Sequence, residues 1–187
     1  VHRAFFADHD IPVCGELTGE ARAEAGDTLW LDDTVLAVGR GFRTNTAGIT
    51  QLTGLMKDMG VDVHAFDLPY YQGEEACLHL MSLASLVDTR AALVCLELVP
   101  VALRELMQGL GYRLIAAPFD EFQSTETLST NVLATAPGKC IMLDGSPKTR
   151  TVLESAGIGI TVFDGEALCI GCEGGPTCLT RPLLRKA

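Results

Sequence analysis

Four short apolar segments recur along this chain at nearly constant intervals. Each follows a stretch that ends like a helix, often at a Gly, and their first apolar residues are spaced by 50, 51 and 46 residues. A regular interval of this length is typical of folds in which equivalent units bury their apolar faces against one another. The repeat therefore restricts the chain to architectures that copy one supersecondary unit. The four residues that mark it are Ile11, Val61, Tyr112 and Ile158.

The segments between these points predict the content of each unit. Two apolar strands form a hairpin, a helix follows, and a third strand closes the unit. Helices are expected at Thr46–Met59, Val101–Gly109 and Thr149–Ala156. Such ββαβ units stack radially like the blades of a propeller, so the predicted class is α/β rather than all-β. The predicted strands are Asp10–Val13, Thr28–Leu31, Thr34–Val38, Gly60–Val63, Leu78–Met81, Ala91–Leu96, Gly111–Ile115, Asn131–Ala134, Lys139–Leu143 and Gly157–Ile160.

One polar or reactive residue recurs at the same phase of each unit. The spacing is 52 residues from Asp27 to His79, 52 from His79 to Asn131 and 47 from Asn131 to Cys178. Equivalent positions of a radial fold face a common centre, so a carboxylate, an imidazole and a thiol are expected to meet there. Glu24 lies in the same turn as Asp27. The phase of the repeat therefore predicts a catalytic group of residues.

Four of these residues also have a purely structural interpretation. Cys178 follows a Gly/Pro-rich stretch, and most cysteines are buried as small hydrophobic residues. His79 is flanked by apolar residues, as a hydrogen-bonded core histidine is. Glu24 and Asp27 are compatible with an exposed acidic turn. The sequence leaves both interpretations open.

Two further polar residues are candidates for ligand binding. Arg43 precedes a predicted helix and could grip a carboxylate bidentately, or lie on the surface. Asn131 could serve the central site or satisfy the end of a strand. Both alternatives stay open at this point.

The charge balance narrows the class of ligand. The chain has 14 Lys+Arg against 24 Asp+Glu, for a formal net charge of -10. Nucleic acid and anionic membranes require a basic surface, so neither is expected as a partner, whereas a cationic small molecule is compatible. The seven cysteines are an odd number, which favours reduced thiols and a cytoplasmic protein.

Three of the cysteines raise the question of a metal. Cys169 and Cys172 form a CxxC pair, and Cys178 would be a third ligand. Structural zinc sites have four ligands, usually in two pairs, and the sequence offers no second pair. We therefore expect no metal.

Several motifs, taken in order, resemble the guanidine-modifying amidinotransferase/hydrolase superfamily, the penteins. Within it the resemblance is strongest to the dimethylarginine dimethylaminohydrolases. It runs from about residue 10 to the C-terminus, in matching order and spacing. The motifs are Glu24-Ala-Gly-Asp27, Arg43-Thr-Asn45, Leu78-His-Leu80, Asn131-Val-Leu133 and Gly174-Gly-Pro-Thr-Cys-Leu-Thr-Arg-Pro-Leu183.

This resemblance implies a fold, an activity and a set of roles. The fold is a ring of five ββαβ units, and the family uses no metal and no organic cofactor. Ala25 stands where the family motif has Gly. The implied roles are nucleophile for Cys178, general acid/base for His79, supporting carboxylate for Glu24, guanidinium binding or wall organisation for Asp27, contact with the substrate's α-carboxylate for Arg43, and substrate binding for Asn131.

Two features depart from the superfamily pattern. Arginine deiminases and amidinotransferases usually carry His-x-Asp, whose Asp binds the guanidinium, whereas the third position here is Met81. Loss of that carboxylate suits a substituted guanidine with fewer N–H groups. In addition, five units of about fifty residues need roughly 250 residues, and this chain has 187. We expect one catalytic domain, residues 1–187, that lacks a first unit.

These features predict a hydrolase that cleaves a C–N bond of an arginine-like, N-methylated guanidine through a covalent thiouronium on Cys178. The alternatives are an arginine deiminase, an amidinotransferase, or a non-catalytic guanidine-binding pentein, which Ala25 and the missing unit favour. The expected partner is a small guanidine, with a homo-oligomer as a further possibility. Because an open ring exposes a strand edge, the chain alone is expected to be inactive and to associate.

Overall fold

The computed structural model describes residues 2–76, 78–172 and 174–182, and three copies of one unit form its centre. In each three-stranded sheet the first strand is antiparallel to the second, and the second is parallel to the third. A helix connects the two parallel strands, because parallel neighbours require a crossover. The elements are α1 (His2–Asp8), β1 (Thr28–Asp32), β2 (Val35–Arg40), α2 (Thr46–Lys57), β3 (Asp62–Asp67), α3 (Leu80–Leu83), β4 (Ala84–Asp88), β5 (Ala91–Val94), α4 (Val101–Gly109), β6 (Arg113–Ala116), α5 (Phe119–Ser124), β7 (Leu133–Ala136), β8 (Lys139–Leu143), α6 (Pro147–Ser155) and β9 (Gly159–Phe163), with single 3₁₀ turns at Ala25–Asp27, Glu74–Ala76, Leu128–Thr130 and Ile170–Cys172.

The predicted repeat and the α/β class are confirmed. The three sheets share the same strand order, and the helix over Val101–Gly109 has the predicted bounds. Each hairpin even carries a register shift at the same place, just before its turn, which increases the local twist. The shifts lie between Trp30 and Asp32, Leu86 and Asp88, and Ala134 and Ala136.

Two of the predicted strands are wrong, and a third has a shifted start. Residues 10–13 form no strand, and Pro12 has no N–H to donate to a ladder. Leu78–Met81 is not a strand either, because the short helix α3 begins at Leu80 and β4 begins only at Ala84. A short buried apolar run has the same pattern in a helix and in a strand, which explains this error. The strand predicted from Asn131 begins two residues later, at Leu133.

Two apolar clusters lie between neighbouring units and hold them together. The first packs Leu31 of β1 against α4, whose Leu103 and Met107 are one turn apart and both 0% exposed. The second packs Leu93 of β5 against Leu153 of α6, both also 0% exposed. Burying one such side chain contributes about 1.5–3 kcal/mol. The position of each unit is therefore fixed by its neighbour.

This packing brings the starts of the first strands of the three units close together. Asp27 precedes β1 directly, and Asn131 lies two residues before the first residue of β7. His79 precedes β4 with α3 inserted between them. The phase residues of the sequence repeat are thus the residues that lead into the three first strands. Within residues 2–76, 78–172 and 174–182, none of the helices has the length and apolar character needed to cross a membrane.

Candidate active site

Cys178 lies at the end of a loop that is anchored through Asn131. The backbone N–H of Thr177 and its hydroxyl both donate to Oδ1 of Asn131, at 2.8 and 2.7 Å. Nδ2 of the same side chain donates to Sγ of Cys178 at 3.0 Å. Asn131 is 6% exposed and Thr177 8%, whereas Cys178 is exposed. One buried amide therefore fixes the loop and directs a donor at the thiol.

Glycine is required where this loop crosses Asn131. A Cβ at Gly175 would lie 2.3 Å from Cγ of Asn131, far closer than non-bonded atoms approach. A Cβ at Gly174 would lie 3.2 Å from Cβ of Cys178. The two glycines let the backbone pass close enough for Thr177 to reach the amide oxygen.

His79 caps the start of α3 and faces Glu24. Its backbone N–H donates to Oγ of Ser82 at 3.3 Å, while its carbonyl accepts from the N–H of Ser82 at 3.0 Å. Its ring nitrogen Nε2 lies 2.7 Å from Oε2 of Glu24. A Cβ at Gly26 would lie 2.9 Å from Cγ of the ring, so the imidazole packs directly on the Gly26 backbone. The imidazole ring is therefore held by a hydrogen bond to the Glu24 carboxylate and by packing against the backbone of Gly26.

The carboxylate of Glu24 is shared between His79 and Arg43. Its Oε1 accepts from Nε of Arg43 at 2.8 Å, and Nη2 of Arg43 also lies 2.8 Å from Oε1. Partial burial alone would raise the pKa of Glu24, but the hydrogen bonds from His79 and Arg43, with their charges, lower it below its ordinary value. Glu24 is therefore ionised beside the imidazole at neutral pH.

The Arg43-Thr-Asn45 motif holds the turn that carries Glu24. Thr44, 0% exposed, accepts from the N–H of Glu24 at 3.0 Å. Oδ1 of Asn45 accepts from the N–H of Arg22 at 3.0 Å, and the same oxygen caps α2 by accepting from Gly48 at 2.8 Å. All three residues of the motif thus contact the segment over residues 20–27.

Asp27 supports the same turn from inside. It is 1% exposed, and its two oxygens accept from Oγ1 of Thr44 at 2.6 Å and from the N–H of Leu80 at 3.0 Å. Burial raises its pKa, and the hydrogen bond from Thr44 opposes that rise. Because Leu80 follows His79 directly, Asp27 joins the Glu24 turn to the segment that presents the imidazole.

A small cavity separates the two halves of the site. Its volume is about 20 Å³, which is close to the space that one water molecule occupies. Sulfur and imidazole therefore face the same small space, although they come from distant segments of the chain. The cavity is lined by Gly26, His79, Met81, Ser82, Asn131, Thr177 and Cys178.

Known proteins resemble this chain in sequence and in fold. No family model matches the chain. The chain is 28% identical over 190 residues to the arginine deiminase of Mycobacterium avium strain 104, a match that covers 88% of this chain and 47% of that protein. The dimethylarginine dimethylaminohydrolase of Pseudomonas aeruginosa superposes with a TM-score of 0.67 at 20% identity, over 86% of this chain and 56% of that one. The inosamine-phosphate amidinotransferase of Streptomyces griseus superposes with a TM-score of 0.73 at 18% identity, over 94% and 51%.

The chain has the pentein fold and resembles the amidinotransferase, arginine deiminase and dimethylarginine dimethylaminohydrolase proteins of that superfamily. It spans about half the length of the curated relatives it matches. Its three ββαβ units are accordingly a partial propeller of the pentein type.

The structure gathers five of the six predicted site residues into two hydrogen-bonded groups, one with His79 and one with Cys178, and these two residues line the same cavity. Glu24, Arg43 and His79 are linked by hydrogen bonds, and Asn131 is linked to Cys178. Asp27 is one bond removed, since it contacts the backbone next to His79. The assigned roles of these residues stay predictions.

Three contributors were missed from the sequence. Thr44 and Thr177 lie inside quoted motifs, yet a lone hydroxyl in a loop carries no signal of its own. Arg181 also lies inside a motif, three residues after the nucleophile candidate, and its guanidinium reaches the Ala25 carbonyl. Only the folded chain shows these contacts.

The remaining cysteines of the CxxC pair differ in exposure. Cys169 is 1% exposed and burial raises its pKa, whereas Cys172 is exposed. In the described part of the chain, no three His, Cys, Asp or Glu side chains lie together as a metal site requires. Cys77, which opens the segment before His79, lies outside the described residues.

Proposed function

We propose that this chain carries the catalytic centre of an enzyme that hydrolyses a C–N bond of an arginine-like guanidine. The observation that carries this proposal is that Cys178 and His79 line one small cavity, with His79 bound to an ionised Glu24. A thiol nucleophile, an acid/base and a group that orients the base are the elements of covalent catalysis. The arginine deiminase and dimethylarginine dimethylaminohydrolase relatives support a guanidine as the substrate class.

In the first half of the reaction the thiolate of Cys178 attacks the guanidinium carbon. A C–S bond forms, and the C–N bond to the departing amine breaks as His79 gives that nitrogen a proton. The product on the enzyme is a covalent thiouronium. Glu24, whose Oε2 lies 2.7 Å from Nε2 of His79, orients the imidazole for this proton transfer.

In the second half water replaces the thiol. His79, now neutral, takes a proton from water as its oxygen bonds to the same carbon, and the C–S bond then breaks. The released product is a ureido compound, and Cys178 and His79 return to their starting states. Nδ2 of Asn131, 3.0 Å from the sulfur, is placed to stabilise the thiolate before attack and after release.

The residues that line the cavity favour one kind of guanidine substrate over another. Met81 presents a thioether to the cavity, and an apolar, weakly accepting wall suits a methylated nitrogen better than an unsubstituted one. N-methylated arginine is therefore the favoured substrate. L-arginine is the second candidate, since the curated relatives are arginine deiminases. The dimethylarginine dimethylaminohydrolase from Pseudomonas aeruginosa was solved with citrulline, the ureido product that both reactions would give.

Binding of the rest of the substrate is also part of the proposal. Arg43 is the residue proposed to contact an α-carboxylate, although its Nε and Nη2 now point at Glu24. Asp27, with both oxygens bonded to protein groups, is proposed to organise the wall rather than to touch the guanidinium. Asn131 is proposed to act on the sulfur and on the substrate beside it.

Product analysis separates the candidate reactions. Methylarginine and L-arginine would be incubated with the protein as its gene encodes it and, in parallel, with residues 1–187 alone, which are expected to be inactive; ureido product, alkylamine and ammonia would be measured. Alkylamine release identifies the methylarginine hydrolase, ammonia release the deiminase, and transfer of the amidino group to an added amine the amidinotransferase. Cys178→Ser should abolish all three products, and Cys14→Ser, which changes an exposed thiol elsewhere, should leave them unchanged. Undiminished turnover by Cys178→Ser would exclude this mechanism.

A further inference from the structure

The guanidinium group of Arg181 lies beside the cavity that Cys178 and His79 line. Its Nη2 donates to the carbonyl of Ala25 and to Oγ1 of Thr28, the latter at 3.0 Å. Its Nη1 lies 3.7 Å from Sδ of Met81. Met81 lines the cavity, and so does Gly26, which lies between the two oxygen acceptors in sequence. The Arg181 side chain therefore contacts the wall that faces Cys178.

The bonding of Arg181 differs from that of the arginines that bind carboxylates and is closer to that of Arg113, which donates to the carbonyl of Ala156. Arg40, Arg43 and Arg90 each bind a carboxylate. Among the described residues, the acceptors of Arg181 are a carbonyl, a hydroxyl and a thioether, all of them neutral. Burial lowers the pKa of Arg181, and Cys178 is the group whose charge opposes that effect. Arg181 is exposed, its guanidinium is held by neutral groups, and it lies close enough to Cys178 to interact with the charge of a thiolate.

The size of the cavity makes this contact significant. A space of about 20 Å³ holds about one water molecule, whereas a guanidinium group has four heavy atoms. Cys178 is exposed, but a guanidinium that enters the cavity beside it must displace part of the cavity wall. It also needs hydrogen-bond acceptors, and two that lie close in sequence to the cavity-lining Gly26, the Ala25 carbonyl and Oγ1 of Thr28, already bind the guanidinium of Arg181. Two cations of the same kind, competing for the same acceptors, exclude each other.

We propose that Arg181 is an internal competitor of the guanidine substrate, which occupies the acceptors of Ala25 and Thr28 and leaves them when substrate binds. Displacement is feasible because the incoming guanidinium restores the hydrogen bonds that Arg181 gives up, and no buried carboxylate is left unpaired. Arg181 thereby sets the affinity of the site for guanidines. This inference rests on the proposed function.

A pair of matched alkylating reagents tests it. 2-Chloroacetamidine is cationic and resembles a guanidinium, whereas 2-chloroacetamide is neutral and has the same leaving group and nearly the same size. The rates of alkylation of Cys178 by both reagents would be followed by peptide mass spectrometry. Cys14 is exposed, so the amidine-to-amide rate ratio at that thiol, measured in the same samples, gives the intrinsic preference of the reagents.

Three variants make the comparison specific. Arg181→Met removes the donors and the charge but keeps much of the length, and Arg181→Lys keeps a charge with fewer donors. Arg150→Met is the matched control, because Arg150 forms an exposed ion pair with Glu154 on α6. The loss of about two neutral hydrogen bonds from a competitor predicts a rise of about tenfold in the amidine-to-amide ratio at Cys178 of Arg181→Met. Arg181→Lys should show a smaller rise, and Arg150→Met none.

The outcomes separate this inference from the function on which it rests. Suppose that the wild-type ratio at Cys178 exceeds the ratio at Cys14, and that Arg181→Met has a native circular dichroism spectrum. An unchanged or lower ratio at Cys178 of that variant would then overturn the role of Arg181 but not the guanidine site. A lower ratio would mean that Arg181 holds Cys178 in place instead. A ratio equal to that of Cys14 in both chains would contradict the proposed function itself, and this inference with it. Should Arg181→Met not fold, an unchanged ratio in Arg181→Lys overturns the inference.

Discussion

The side-chain amide of Asn131 donates from its nitrogen to Sγ of Cys178 at 3.0 Å while its oxygen accepts two hydrogen bonds from Thr177. The oxygen determines where the loop lies, and this in turn determines which way the nitrogen points. An amide is the side chain that can do both, because it has an acceptor and a donor on one carbon. Position and polarity at the thiol therefore come from a single buried residue.

Substitution of Asn131 should separate these two effects. Asn131→Ala leaves the N–H and hydroxyl of Thr177 without their acceptor and should lower the free energy of unfolding by about 1–3 kcal/mol. Asn131→Asp keeps the acceptor but replaces the donor with an oxygen that repels a thiolate. It should unfold closer to wild type, yet alkylate at Cys178 roughly tenfold more slowly. Denaturant unfolding and iodoacetamide kinetics measure both. Equal alkylation rates in wild type and Asn131→Asp would refute the role of Nδ2.

Gly26→Ala tests the packing of the imidazole on the turn. Its Cβ would lie 2.9 Å from Cγ of His79, so the ring must move away from Glu24. Turnover of the guanidine should fall at least tenfold, since a displacement of about 1 Å in a catalytic group can cost roughly a hundredfold. Gly54→Ala is the control, because nothing lies within 4 Å of a Cβ there in α2. That variant should keep full turnover and gain about 0.5–1 kcal/mol of stability. Full turnover by Gly26→Ala would show that the ring does not need this contact.

Thr44→Val tests the link between the Arg43-Thr-Asn45 motif and the Glu24 turn. The shape is kept, but the N–H of Glu24 loses its acceptor and the buried carboxylate of Asp27 loses a donor. The free energy of unfolding should fall by about 1–3 kcal/mol. Thr50→Val, on the exposed side of α2, should change it by less than about 0.5 kcal/mol. Urea unfolding of the two variants gives the comparison, and equal stabilities would mean that Thr44 does not hold the turn.

Glu24→Gln should change the pH dependence of stability as well as turnover. Because the folded chain lowers the pKa of Glu24, its ionised form stabilises the fold above the ordinary carboxyl range. This contribution is lost as the pH falls below that range, roughly from pH 5 downwards, and it stays below about 1 kcal/mol because the side chain is 39% exposed.

Glu24→Gln removes that part of the dependence, so its unfolding free energy should vary less than that of wild type between about pH 6 and about pH 3. Turnover should fall at least about tenfold, because the neutral amide holds and orients the imidazole of His79 less well than the carboxylate does. Unfolding in denaturant across this pH range, with turnover at neutral pH, is the measurement. If the unfolding free energies of the two chains vary with pH in the same way, the ionised carboxylate of Glu24 does not stabilise the fold.

The sequence repeat predicted the three-unit α/β architecture because every unit repeats the same burial pattern. The prediction failed at Leu78–Met81, because the helix α3 begins within this apolar segment, at Leu80, and no strand forms there. Periodicity over four residues cannot separate the two, and the decision comes from a long-range contact, the bond from Leu80 to Asp27. The phase of His79 was nevertheless predicted, since it depends on the length of the unit and not on its local conformation.

The candidate site was predictable to the extent that its residues recur in phase or lie in motifs. Contacts that depend on one hydroxyl or one backbone carbonyl were not, and the bonds made by Thr44 and Thr177 are of this kind. The contact of Arg181 with Ala25 depends on the approach of two segments that are distant along the chain. Sequence spacing shows which residues occupy equivalent positions in the repeated units. These hydrogen bonds depend instead on how neighbouring units pack against each other through their apolar clusters.

The central claim is that Cys178 is the nucleophile that attacks the guanidinium carbon. The most direct measurement is acid quenching of the protein, as its gene encodes it, during incubation with isotopically labelled methylarginine or L-arginine, followed by peptide mass spectrometry. A labelled amidino adduct on the peptide that contains Cys178, absent from Cys178→Ser and retained in Cys14→Ser, is the predicted result. An adduct on a different residue, or labelled ureido product formed at the wild-type rate by Cys178→Ser, would contradict it.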